Sequence, residues 1–140
     1  MFEDELVLVM APEHRLAGLA HVRPRDLAEE TILNYSPKEE STLINKVLLP
    51  AGVSPKRVLE LPLTEAIVEM AAAGTGVALL ARWAVAPDVE RGRVVTRPIT
   101  SRGFHRKWWC VTLKTQSVPS HLEEFIELLQ NFRPKQLKCA

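Results

Sequence analysis

Cysteine is scarce in this 140-residue chain, which has only Cys110 and Cys139. Two cysteines make no disulfide framework, and their settings differ: Cys110 lies in an apolar strand pattern, Cys139 in a polar tail. Both are compatible with a reducing cytoplasm. The four histidines, His14, His21, His105 and His121, are scattered without metal-ligand spacing, so no metal is expected. Charge of one sign is lacking too. The net charge is +1, which leaves no large electrostatic footprint for nucleic acid. The nearest basic stretch, "SRGFHRK", reads as a solvated turn before a strand. No apolar run approaches a membrane span, and Glu3, Asp4 and Glu5 interrupt any signal-peptide core. There is no Gly-x-Ser-x-Gly elbow and no phosphate-loop pattern. Adjacent carboxylates such as Glu29-Glu30 and Glu39-Glu40 suit solvated surfaces better than acid–base work. No catalytic residue and no cofactor are expected.

Glycine is also sparse, at six residues, so the pair in "EMAAAGTGVALLARW" (Glu69 to Trp83) invites a phosphate-binding reading. The order of elements argues against it. A dinucleotide fingerprint follows a strand and opens a helix. Here "TEAIVEMAAAG" carries apolar Ala66, Ile67, Met70 and Ala71 at helical spacing, with Thr64 as the expected N-cap and Glu65 in the first turn. "VALLA" follows as a buried strand. Gly74 therefore ends a helix in the left-handed conformation, and Gly76 lets the chain enter the strand. A helix C-terminus repels phosphate.

What is present is the material of a globular domain, 46% hydrophobic and 25% charged. "ELVLVMAP" reads as a strand broken by Pro12, and "EHRLAGLAHV" as a loop. "RPRDLAEE" suits a helical turn, "TILNYS" a second strand. "EESTLINKVLLPAG" places Leu43, Ile44, Val47 and Leu48 at helical spacing before Pro50 and Gly52. "KRVLEL" and "RVVTRPI" are further strands. "WAVAPDVERG" predicts a short helix interrupted at Pro87 and ended by Gly92. "RKWWCVTLK" predicts a strand with Trp109, Val111 and Leu113 on one face. "SHLEEFIELLQNF" is an amphipathic helix with Leu122, Phe125, Ile126 and Leu129 aligned and a Ser120–Glu123 capping box. This alternation predicts an α/β fold with a largely parallel sheet, whose ligands bind beyond the carboxyl ends of the strands.

The ordered motifs from Phe2 to Phe132 resemble those of LysR-type transcriptional regulators. "FEDELVLVMAPEHRLA" is similar to the family's strand and "P-x-H-P-L-A" loop, with Arg15 where proline is usual. "VRPRDLAEETILNY" is similar to the following "L-x-D-L" turn and strand. "EMAAAGTGVALLARW" resembles "V-x-x-G-x-G-I-A-L-L-P", with Ala81 replacing proline. "LLPAGVSPKRV" and "ARWAV" look closest to the methionine-biosynthesis regulators of the family.

The resemblance implies a periplasmic-binding-protein-like (Rossmann-like) effector-binding subdomain with an incomplete second lobe. Residues 1–30 would be part of the first lobe and 31–98 the second subdomain. Residues 99–132 would return to the first lobe, and 133–140 would be a flexible tail. The family's winged helix-turn-helix and linker helix are not among these residues, so no direct nucleic-acid contact is expected from them. The resemblance implies a cytoplasmic, non-enzymatic, ligand-sensing domain. Its effector site would use Ser36 as a hydrogen-bonding group, Leu63 as a wall and Thr64 at a positive helix end. Arg82, beside the altered Ala81, is a further candidate for pairing with a carboxylate. The effector would be a small molecule resembling an amino acid, such as a homocysteine-like thiol acid. The Glu5 and Trp109 strands would lack neighbours, which predicts a homo-oligomer, most simply a homodimer. Two other classes stay open at this point: a fragment that only makes protein–protein contacts, and a small enzyme using the same cleft.

Overall fold

A computed structural model describes residues 3–35, 37–111 and 119–131. The elements run β1 (Glu3–Met10), β2 (Thr31–Tyr35), β3 (Arg57–Leu61), α1 (Thr64–Ala72), β4 (Val77–Ala81), α2 (Arg82–Glu90), β5 (Val95–Pro98), β6 (Phe104–Lys107) and α3 (Ser120–Asn131). The turn at Pro24–Leu27 is a 3-10 helix, as its Pro-led sequence suggests.

The strands form one sheet in the order β3-β2-β4-β1-β5, with β6 also paired to β1. β2 pairs in parallel with β3 and β4, whereas β1 runs antiparallel to β4, β5 and β6. The expectation of a largely parallel sheet is therefore corrected to a mixed one. Its reason is β1, a strand buried on both faces that accepts neighbours on both edges. Val7 and Val9 face one side and Leu8 and Met10 the other, all fully buried. Such a continuous apolar run looks the same whichever way its partners point. The same pairing corrects the expected bare edge on the Glu5 strand. The sheet that takes in residues 31–98 also takes in β1. On its outer side, β5 pairs with Val7 to Met10 and β6 with Glu3 to Leu6. Between them the chain bulges out at Ile99 to Gly103, where Thr100 and Gly103 both have positive φ.

The crossovers explain the two cores. From β2 the chain moves outward to β3. It then passes back over β2 to reach β4. Crossovers of one hand moving in opposite directions lie on opposite faces. The first, a π-helical turn at Ile44–Leu48 continued by a 3-10 turn at Leu49–Ala51, packs Leu43, Ile44, Val47 and Leu48 against Leu8, Ile32 and Val77. The second, α1, packs Ile67, Val68 and Ala71 against Val7, Leu33 and Ala78. α2 adds Val85 to that face.

Several local expectations change. Leu63, not Thr64, is the N-cap of α1, and no side chain caps that helix. The first helical hydrogen bond runs from Ile67 N–H to the Leu63 carbonyl, so Thr64 is already inside the turn. Pro87 does not interrupt α2, which continues from Arg82 to Glu90; Arg91 N–H donates to the Pro87 carbonyl. The Ser120–Glu123 capping box is not found either, because the Pro119 carbonyl accepts from Leu122 and Glu123 and occupies the cap position. The strand expected at "RKWWCVTLK" lies earlier, at Phe104–Lys107. Its register with β1 runs from Leu6↔Phe104 to Glu3↔Lys107, and beyond it Trp109 is 76% exposed and Cys110 exposed. Leu113, Cys139 and the expected tail at 133–140 lie outside the described residues. α3 forms as expected, yet none of its residues is buried.

Candidate effector cleft

In a doubly wound sheet the crevice opens where successive crossovers leave in opposite directions. That point here is the carboxyl end of β2 and β4. A cleft of about 450 Å³ lies there. Asn34 and Tyr35 from the end of β2 form its floor and edge, and Ser41 and Thr42 stand on the first crossover. Thr64 at the start of α1 lines it. Trp83 from α2 and Arg106 and Trp108 from the β6 end line it as well.

Asn34 and Ser41 are buried polar residues. Ser41 is placed by its own turn, since the Ile44 N–H donates to its Oγ at 3.4 Å. Thr64 is placed by α1, and because it is not the cap its hydroxyl is not committed to the helix end. Glycine 76 sets the strand that carries the other half. A Cβ there would collide with the Thr31 carbonyl, so only glycine lets β4 approach β2 this closely.

The part of the rim made by Trp83, Arg106 and Trp108 is organised by Asp4, whose side chain is wholly buried. Arg106 donates to it through Nε (3.1 Å) and Nη2 (2.6 Å), the Trp83 indole donates at 3.2 Å, and the Trp108 side chain hydrogen-bonds it as well. The Arg106 guanidinium also lies over the Trp108 ring, 4.5 Å from its centroid. Burial is the largest influence on the Asp4 carboxyl and acts to raise its pKa. The hydrogen bonds from Arg106, Trp108 and Trp83, with the Arg106 charge, outweigh it and hold the group below its ordinary value.

The sequence-derived candidates divide. Thr64 lines the cleft. Leu63, the N-cap beside it, is exposed. Ser36 lies outside the described residues. Arg82 is not brought to the cleft: it forms a two-point ion pair with Glu5 (2.9 and 2.7 Å) and lines a separate hollow with Ala86, Val89 and Thr96. Sequence reasoning missed Asp4, Trp83, Arg106 and Trp108. Asp4 and Arg106 are 102 residues apart, and only the antiparallel β1–β6 register makes them opposite partners. Asp4 stands between Glu3 and Glu5 at the acidic start of β1, so no local signal singles it out.

A second hollow, at the amino end of the parallel strands, is lined by Glu13, Glu29 and Glu30 and the end of α1. Glu30 there is held by Arg15 at 2.6 Å and His14 at 3.1 Å, and Arg15 also donates to the Asp26 carbonyl. Arg15, a departure from the usual proline, thus ties the loop after β1 to the start of β2.

Comparison with known proteins agrees with this architecture. Residues 1–133 match the family model described as the LysR substrate binding domain. The HTH-type transcriptional regulator MetR of Escherichia coli K12 is 37% identical over 133 residues, covering 94% of this chain and 41% of that protein. The regulatory domain of NMB2055 (MetR) from N. meningitidis superposes with a TM-score of 0.70 at 36% identity, covering 74% of this chain and 48% of that one. The CcmR regulatory domain of Synechocystis PCC6803, solved in complex with 2-PG, gives a TM-score of 0.80 at 21% identity, covering 93% of this chain and 63% of that one. The chain spans about two fifths of the length of the curated relative quoted above.

Proposed function

The chain belongs to the LysR substrate-binding domain family, and from that premise we propose that its cleft senses a small-molecule effector resembling an amino acid, such as a homocysteine-like thiol acid. The family is one of transcription regulators rather than enzymes. One observation carries the reading: the cleft sits at the switch point between β2 and β4 and is lined both by hydroxyl and amide groups (Asn34, Ser41, Thr64) and by aromatic rings (Tyr35, Trp83, Trp108). Polar groups that fix orientation beside apolar walls are the usual makeup of a small-molecule site. The resemblance to the methionine-biosynthesis regulators of the family supports the thiol-acid class. The 2-PG complex of the CcmR domain supports a small ligand in this fold. Thr64 and Leu63 at the start of α1, with Ser36 after β2, are the proposed effector contacts. Arg82, tied to Glu5, is left out of the set.

The proposal keeps the lobe division at residues 98–99, with β1 grouped with residues 31–98. Residues 99–132 would lead back to a first lobe. Effector binding would shift the population between lobe arrangements. The proposed setting is the cytoplasm; among the described residues no helix is long and apolar enough to cross a membrane. The proposed partner is a second copy, supported by the uncovered apolar side chains of α3. A thermal-shift screen of thiol and thioether amino acids tests the reading, because a ligand at 100 times its Kd stabilises the native state by about 2.7 kcal/mol. Absence of any shift with metabolites of every class would remove the sensing function.

A further inference from the structure

Asp4 receives more donors than any other carboxylate described, and every one of them comes from a residue on the cleft rim. Trp83 arrives from α2 and Trp108 from beyond β6, yet both indoles hydrogen-bond one carboxylate. Each residue remains 39% exposed, so neither is spent on the core. Arg106 is fixed on two sides, by its fork to Asp4 and by the Trp108 face. A half-exposed tryptophan in water would choose among rotamers; an indole N–H anchored to a buried anion cannot. The cost of ordering these side chains is met on folding rather than on ligand binding.

We infer that Asp4 is a positioning residue that presets the Trp83 and Trp108 rings, the latter braced by Arg106, as an apolar wall for the effector's side chain. The polar head of the same molecule would lie toward Thr64, Asn34 and Ser41 across the cleft. The ligand class is then a small zwitterion or acid with an unbranched alkyl or thioether chain. The inference rests on the effector reading of this cleft and deepens it by assigning which wall meets which end of the ligand.

The probes are L-alanine, L-2-aminobutyrate, L-norvaline and L-norleucine, which differ by one methylene each. Tryptophan emission is titrated in the full chain carrying Trp109→Phe, which removes the exposed indole outside the cleft. Burial of each methylene contributes about 0.8 kcal/mol, or about fourfold in affinity. The expected result is about a fourfold gain per methylene, with emission changing on binding. Asp4→Asn should red-shift the emission of the free protein and cut the gain below twofold per methylene while the melt stays cooperative. Should Asp4→Asn not melt cooperatively, Trp108→Ala carries the same test of the gain. A flat series, or an unchanged gain and emission in Asp4→Asn, overturns the inference. So does failure of all four probes to bind at millimolar concentration. In that last case a thermal shift with an unrelated metabolite would leave the broader sensing reading standing and remove only this assignment.

Discussion

Gly76 lies so close to the Thr31 carbonyl that a Cβ at this position would overlap the oxygen. The contact joins the start of β4 to the start of β2, the two parallel strands whose far ends form the cleft. Its φ is not in the left-handed region, so the demand for glycine comes from close approach and not from backbone conformation. Gly76→Ala should therefore destabilise the fold by about 1–3 kcal/mol, the range for overpacking a well-filled site. Urea unfolding with an unchanged m-value checks this. A midpoint equal to wild type would mean that β4 can retreat from β2 freely.

Acid should act through Asp4. Its pKa is lowered in the folded protein, so the stability it contributes is fully present above the ordinary carboxylate value near 3.9. That contribution is lost as pH falls through the lower folded value. Asp4→Asn is expected to cost about 1.5–3 kcal/mol at pH 7, the range for hydrogen bonds to a charged group. The gap between wild type and variant should narrow as pH drops below about 4. Melting temperatures of both proteins across that range measure it. A gap independent of pH would show that the carboxylate charge contributes nothing.

Thr64→Val separates the two roles of that side chain. Because Leu63 is the N-cap, losing the hydroxyl should change stability by less than about 0.5 kcal/mol, the usual bound for substitutions away from special features. Affinity for a confirmed effector should fall roughly tenfold, a loss of about 1.4 kcal/mol. Calorimetric titration of both proteins decides it. Equal affinities would place the effector's polar head elsewhere.

The α3 helix bears on assembly. Phe125 and Leu128 are exposed, and no residue of the helix is buried. Apolar area gains roughly 25 cal/mol per Å² when covered. Light scattering coupled to size exclusion is expected to show a homodimer. Replacing Phe125 and Leu129 with polar residues should convert it to a 15.7 kDa monomer. A dimer of unchanged stability in the variant would mean that α3 does not cover the partner.

Arg82 offers a contrast with Thr64. Its ion pair with Glu5 is about half exposed on the arginine side. Such pairs contribute roughly 0.2–1 kcal/mol. Arg82→Gln should lose no more than this and leave effector affinity unchanged in the same titration. A tenfold loss of affinity would return Arg82 to the site.

Local pattern alone determined most of the elements. The apolar run of β1, the helical stripe of Ile67 and Ala71, the left-handed stop at Gly74 (φ 74°) and the apolar spacing of α3 are each written within a dozen residues, where short-range sterics and burial act. That Thr64 would line the cleft was legible because helix starts and strand ends are where ligands meet such sheets. Strand direction was not legible, because the buried faces of β1 are apolar for parallel and antiparallel neighbours alike. Nor was the rim around Asp4. Its partners come from residues 83, 106 and 108, and their convergence depends on β1 and β6 sharing a register across 102 residues. An aspartate between two glutamates at the start of a strand carries no mark of the donors that will satisfy it. Only tertiary structure brings two indoles and a guanidinium to one buried carboxylate, because burying that charge is tolerable only when they are there.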